Sequence, residues 1–185
     1  MKYFLAVVLV FLGLSGSCRA DGQFSLSGLV DSASSEVRTI WNEGATEAYL
    51  PLYTYHLRFA YDANKIASYN ENPWGIGIGK GIKDDNGNWH GLYAMEFQDS
   101  HNRFEPIAGY GFIHPMANFA GVNLGIGYTV FLTARSDINH YIPFPGVLPL
   151  ASIEKGSVSV KAAYIPGKHN NGNVLFFFGT YRFAQ

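Results

Sequence analysis

From Pro51 to Phe183 the side chains alternate in character with a period of two, and no apolar run there approaches the ~18 residues of a membrane helix. Val122, Leu124, Ile126, Tyr128, Val130 and Leu132 alternate with Asn123, Gly125, Gly127, Thr129, Phe131 and Thr133. Trp74, Ile76, Ile78 and Ile82 alternate with Gly75, Gly77, Gly79 and Gly81, and Val158, Val160 and Tyr164 with Ser157, Ser159 and Lys161. Trp89, Tyr93, Met95 and Phe97 oppose His90, Leu92, Glu96 and Gln98, while Tyr53, Tyr55, Leu57, Phe59 and Tyr61 oppose Thr54, His56, Arg58 and Ala60. With residues 107–113, 147–153 and 174–183, these stretches make eight candidate strands. Asp84-Asp85-Asn86-Gly87 and Asn170-Asn171-Gly172-Asn173 supply the turn chemistry between them.

Alternation does not say which face points outward. A soluble barrel buries its apolar face; a membrane barrel turns that face to lipid. Size favours the second, because eight closed strands leave an interior just wide enough for side chains. Aromatics and isoleucines from so many strands would overfill it, whereas the glycines fit. The expected fold is therefore all-β: an eight-stranded antiparallel transmembrane β-barrel, large side chains outward and small ones inward. Charged residues are only 15% of the chain, against ~25% in soluble domains, and aromatics are 16%. Thirteen Lys and Arg balance 14 Asp and Glu without a basic cluster, which excludes a nucleic-acid binder that works by neutralising phosphates. One cysteine excludes a disulfide framework. His90, His101, His114, His140 and His169 show no paired metal-ligand spacing, and neither metal nor cofactor is expected.

Lys2, the apolar run 4–14 and the small residues before Ala20 predict a signal peptide over 1–20, hence export and a single barrel domain over 21–185. Cys18 either leaves with that peptide or stays as a lipidated residue; both readings stand. Val30, Val37, Ile40 and Trp41 predict an amphipathic helix over about 31–43, with Asp31 or Ser32 as N-cap and Gly44 as its stop. An N-terminus on the inner side puts residues 62–73 and 99–105 on the outer rim and 84–87 inside, and the lengths of 62–73 and 84–87 match the long-outside, short-inside rule.

Several stretches resemble the PagP family of outer-membrane lipid A palmitoyltransferases. They include His56-Leu57-Arg58-Phe59-Ala60-Tyr61-Asp62, Tyr69-Asn70-Glu71-Asn72-Pro73-Trp74-Gly75 and Gly87-Asn88-Trp89-His90-Gly91-Leu92-Tyr93-Ala94-Met95. Asp99-Ser100, Glu105-Pro106-Ile107-Ala108-Gly109-Tyr110-Gly111, Thr133-Ala134-Arg135, Leu148-Pro149-Leu150-Ala151-Ser152 and Tyr164-Ile165-Pro166-Gly167 continue it. The resemblance implies an eight-stranded barrel with a helix on its inner side, in the cell outer membrane. It implies transfer of a palmitoyl chain from the sn-1 position of a glycerophospholipid donor to a hydroxyacyl chain of lipid A, by a monomer. It further implies a catalytic trio at His56, Asp99 and Ser100, and a floor at Gly111 beneath a hole that measures the donor chain. Pro149 with Pro166, and Pro51 with Pro73, match lateral openings for lipid. A lipid A deacylase or phospholipase-type hydrolase, and a non-enzymatic barrel filled with charged side chains, are the alternatives.

Acyl transfer needs a base for the incoming hydroxyl and stabilisation of an oxyanion. His56 suits the base, Asp99 is expected to orient the imidazole or hold its cation, and Ser100 to polarise or position a substrate. Ser100 as a covalent nucleophile stays open, although no G-x-S-x-G elbow surrounds it. Arg58 and Arg135 have the donors to grip a lipid phosphate and equally to pair within the wall.

Overall fold

The computed structural model describes residues 26–184. The expected signal peptide and Cys18 lie outside them. A helix, α1 (Leu26–Glu43), precedes a closed barrel of eight strands, each paired with its neighbours in sequence. The strands are β1 (Ala45–His56), β2 (Gly75–Lys83), β3 (Trp89–Gln98), β4 (Phe104–Phe119), β5 (Val122–Thr133), β6 (Phe144–Lys155), β7 (Val158–Ile165) and β8 (Val174–Arg182). Every adjacent pair is antiparallel, β8 closing on β1. No described helix is long and apolar enough to cross a membrane. One end carries the long connections 57–74, 99–103, 134–143 and 166–173, and the other short turns such as Ala120-Gly121. By the loop-length rule the first is the outer end.

The helix begins earlier than expected. Asp31 lies inside α1, and Ser32 Oγ bonds back to the carbonyl of Gly28 at 2.9 Å instead of capping a free amide. Val30, Ala33, Val37 and Ile40 form its apolar stripe, packed on Ile82, Leu92, Tyr110, Phe112 and Tyr128 of the barrel's outer wall. Glu36 meets His90 Nδ1 at 2.6 Å and ties the helix to β3. Gly44 ends it as expected, its amide bonding the Ile40 carbonyl at 2.9 Å.

The inside-out pattern holds for β2, β5 and β7. Ile76, Ile78, Ile126 and Val158 are exposed on the wall, while Thr129, Ser159 and Lys161 point inward and are buried. On β3 the expectation is wrong. Trp89, Met95 and Phe97 are buried inside, with Tyr49 of β1 and Phe178 of β8. The glycines explain how they fit. A Cβ on Gly79 would come within 2.8 Å of the Tyr49 ring, and one on Gly111 within 2.8 Å of the Trp89 ring. Bare backbone on one side of the lumen makes room for aromatics rising from the other, so much of the space those glycines leave is filled.

The lower half is also polar. Glu47, 1% exposed, accepts Tyr49 OH at 3.0 Å, Trp89 Nε1 at 3.1 Å and Arg182 Nε at 3.3 Å. Lys161 Nζ stands 4.0 Å over the Trp89 ring and bonds Thr180 Oγ1 at 3.1 Å. Filled with paired charge below and hollow above, the barrel has a plug and a chamber.

Two breaks interrupt the wall toward the outer end. Pairing of β1 with β2 stops at Tyr49–Gly77, although β1 runs on to His56 and β2 starts at Gly75. Pairing of β6 with β7 stops at Leu150–Ala163, although β6 extends outward to Phe144 and β7 to Ile165. Pro51 and Pro73 flank the first break, Pro149 and Pro166 the second. Proline has no amide hydrogen to give a ladder, so it suits an edge left open.

If Trp89 needs the space at Gly111, Gly111→Val will destabilise the barrel by about 1–3 kcal/mol. In a double-mutant cycle with Trp89→Leu, the double variant is expected to lose at least ~0.5 kcal/mol less than the sum of the singles. Denaturant unfolding in detergent, followed by circular dichroism, measures all three.

Candidate active site

His56 is the last residue of β1, its ring turned inward and 2% exposed. The expected first strand ran to Tyr61, but the chain leaves the sheet here. The backbone amide of Leu57 bonds the Asn173 carbonyl at 3.0 Å, and Arg58–Ala60 forms a single 3₁₀ turn. The Asn170–Asn173 segment read as a turn is thus also a clamp. Its Asn170 Nδ2 bonds Asp62 Oδ2 at 2.7 Å, and its backbone amide bonds the Ala60 carbonyl at 2.8 Å.

Ser100 is presented by the turn between β3 and β4. Asp99 builds that turn: one carboxylate oxygen accepts the backbone amides of His101 at 2.8 Å and Arg103 at 2.9 Å. The following Asn102 takes the left-handed conformation at φ 62°, which asparagine tolerates. The Ser100 carbonyl accepts the Asn70 amide at 2.9 Å, joining this turn to the β1–β2 connection. Ser100 Oγ then lies 3.1 Å from His56 Nε2, across 44 residues of sequence.

Asp99 does not orient the imidazole. Among the described residues the other partners of its carboxylate are Arg135 Nη2 at 3.7 Å and, within the turn, His101 Nδ1 at 3.8 Å. The carboxylate beside His56 is Glu71, whose Oε1 is 3.0 Å from Nδ1. Glu71 also accepts the His56 amide at 3.1 Å, both terminal nitrogens of Arg58 at 2.7 and 2.6 Å, and Tyr53 OH at 2.9 Å. Above all, the Arg58 bonds hold its carboxyl down to about 2, with help from His56 and Tyr53 against the burial that would raise it. Tyr69 stacks on the imidazole at 4.5 Å and Tyr61 meets it edge-on at 5.2 Å. Neither Glu71 nor the tyrosines were singled out from sequence, although Glu71 and Tyr69 lie in one of the stretches that carry the family resemblance.

Both arginines are engaged. Arg58 serves Glu71. Arg135, at the mouth, gives Nε and Nη2 to Asp137, both at 3.0 Å, and Nη1 to Glu105 at 3.1 Å. Burial would lower Arg135, but the Asp137 bonds and the charges of Glu105, Asp137 and Asp99 raise it, so it stays a cation. Among the described residues no group of histidine, cysteine or carboxylate side chains is placed to hold a metal.

Below His56 and Ser100 opens a chamber of about 680 Å³, within the ~300–1,000 Å³ usual for ligand pockets. Its mouth is polar: His56, Asp99, Ser100, Glu105 and Arg135. Its shaft is apolar: Met95, Phe97, Ile107, Phe131, Leu148, Phe176 and Phe178. It reaches the wall at the β6–β7 break, where Val147, Ala163, Ile165 and Pro166 line it. Tyr93 and Thr129 also line it, joined OH to Oγ1 at 2.7 Å, with Tyr49 of the plug stacked against Tyr93. Gly111, the expected floor, is not among its lining residues. The Trp89 ring covers it.

Buried His56 meets half-buried Ser100 over an apolar shaft, and comparison decides the family. The model of the family described as "antimicrobial peptide resistance and lipid A acylation protein PagP" matches residues 36–180. The chain belongs to the PagP family. It is 54% identical to the "Lipid A acyltransferase PagP" of Bordetella pertussis (strain Tohama I / ATCC BAA-589 / NCTC 13251), over 98% of this chain and 99% of that protein. It is 49% identical to the protein of the same name from Bordetella bronchiseptica, with the same coverage. The Klebsiella pneumoniae relative is 44% identical over 99% of this chain and its own full length. The PagP family and the closed β-barrel together fit a protein of the outer membrane.

Because Glu71 sits far below its ordinary 4.5 in the folded protein, its contacts add stability that is whole above about pH 4.5 and is lost as pH falls toward 2. Hydrogen exchange at the His56 and Thr54 amides is expected to accelerate across that window in wild type. In Glu71→Gln the acceleration should be missing.

Proposed function

We propose that this lipid A acyltransferase draws a phospholipid sideways through the β6–β7 break, seats its sn-1 palmitoyl chain in the shaft, and hands that chain to a hydroxyacyl group of lipid A at the outer mouth. Export by the 1–20 signal peptide delivers it to the outer membrane, and it acts as a monomer, since one chain supplies the whole site. The observation that carries the reading is the continuity of the chamber: a His–Ser pair at a polar mouth, an apolar shaft beneath it, and an unpaired stretch of wall beside it. Pro149 and Pro166 keep that stretch unpaired. Pro51 and Pro73 do the same at the β1–β2 break, which serves the acceptor lipid.

Moving a tail from bilayer to shaft exchanges one apolar setting for another, so little of the ~0.8 kcal/mol per CH₂ of water-to-oil transfer is available. Fit decides instead. A chain one methylene too long meets the Tyr93–Thr129 bar and is overpacked, at about 1–3 kcal/mol. Gly111 contributes from below, by giving Trp89 the room that keeps Tyr93 in place. Arg135 keeps the mouth polar and, where lipid A phosphate competes with Asp137, supplies its fork to the acceptor.

Purified barrel in mixed micelles, with lipid A and a phospholipid labelled in its sn-1 palmitate, tests the reading. Lipid A one palmitoyl heavier and carrying the label is expected. Loss of a chain from lipid A would mean a deacylase, and unchanged lipid A would mean a barrel without this activity. His56→Ala and Ser100→Ala should each lower transfer by ~10²-fold or more; full transfer in both would break the assignment. The measuring floor has its own test. Tyr93→Leu opens the bar onto Trp89, so mass spectrometry of its product is expected to show chains longer than sixteen carbons. An unchanged chain length would put the floor elsewhere.

A further inference from the structure

We infer that Glu71, and not Asp99, is the carboxylate that positions the His56 imidazole for acyl transfer, an inference that rests on the functional reading above. An imidazole acts as a base only if one nitrogen is bare and aimed at the attacking hydroxyl, and the partner of the other nitrogen decides which. Nε2 faces Ser100 Oγ at 3.1 Å and the mouth of the chamber. Nδ1 faces Glu71 Oε1 at 3.0 Å. A carboxylate held ionised by Arg58 accepts only, so the ring proton belongs on Nδ1 and the lone pair on Nε2.

Glu71 fixes more than the proton. The oxygen that meets Nδ1 also accepts the backbone amide of His56 at 3.1 Å, locking the ring to its own main chain. Arg58 and Tyr53 hold the carboxylate from its far side, and Tyr69 covers the ring's face at 4.5 Å. Asp99 spends its carboxylate on the amides of His101 and Arg103; it positions Ser100.

In the reaction the attacking hydroxyl oxygen bonds the ester carbonyl carbon while Nε2 takes its proton. The imidazolium so formed lies against the Glu71 charge. As the carbon–oxygen bond to the donor breaks, Nε2 returns that proton to the leaving oxygen, and the ring is neutral again.

Nitrogen-15 NMR of histidine-labelled full-length barrel in micelles reads the tautomer of neutral His56, and steady-state transfer reads the chemistry. Wild type is expected to carry the proton on Nδ1. Glu71→Gln is expected to give a mixture of tautomers and a kcat lower by ~10²-fold or more, with KM for donor little changed. Glu71→Asp should recover part of both. Asp99→Asn should leave the tautomer as in wild type, whatever it does to transfer through Ser100. A wild-type proton on Nε2 would overturn the inference without any variant being made. So would a Glu71→Gln enzyme of undiminished kcat, or an Asp99→Asn protein with the tautomer changed. The tautomer is read in the resting protein, so absence of lipid A acylation would fail the functional reading separately.

Discussion

The structure depends on the contact of aromatic rings with bare backbone across a narrow lumen. Eight strands enclose little space, and Tyr49, Trp89 and Tyr93 occupy much of it only because Gly79, Gly91, Gly109 and Gly111 offer no side chain where the rings lie. The stack of Tyr49 on Tyr93, centroids 5.6 Å apart, joins the polar plug below to the floor of the chamber above. The glycines therefore do not hollow the barrel along its length. They set the height at which filling stops.

The rest follows from that height. Below Tyr93 the lumen holds Glu47, bonded to Trp89 and Arg182, and Lys161, bonded to Thr180 and set over the Trp89 ring, and this plug is the feature a purely structural barrel would extend to the top. Above it the lining turns apolar, then polar again only at the mouth. The wall opens in the same upper half, beyond Tyr49–Gly77 and beyond Leu150–Ala163, so the breaks lead to the chamber and not to the plug. The mouth is held by loop-to-loop bonds. Asn70 reaches Ser100, Asn170 reaches Ala60 and Asp62, and Tyr61 OH donates to the Gly172 carbonyl.

The period of two made the barrel legible, and glycine against isoleucine made the facing of β2 legible. The facing of β3 was not, because alternation is symmetric and Trp89, Tyr93, Met95 and Phe97 are as suited to an interior as to lipid when the opposite strands carry glycine. The end of β1 was hidden too: the alternation continues through Arg58 and Phe59, and a side chain 15 residues downstream, Glu71, takes the amide of His56. Resemblance supplied His56, Asp99 and Ser100 as a set, but a set has no geometry. Asp99 and Glu71 are both carboxylates beside the site in sequence terms, and only the folded loops show which one faces the ring. Gly111 was read as a surface of the chamber, and the Trp89 ring set against its bare backbone was not legible in the sequence.

The central claim is that a donor tail ends on Tyr93 and Thr129, inside the barrel and above the plug. Nuclear Overhauser contacts between the terminal methyl of a bound sixteen-carbon acyl chain and the protein, measured in deuterated micelles, test it most directly. The account predicts contacts to the Tyr93 ring and the Thr129 methyl, with none to Ile76 or Ile126 on the outer wall. Contacts confined to the outer wall, or reaching Trp89 and Glu47 beneath the floor, would contradict it.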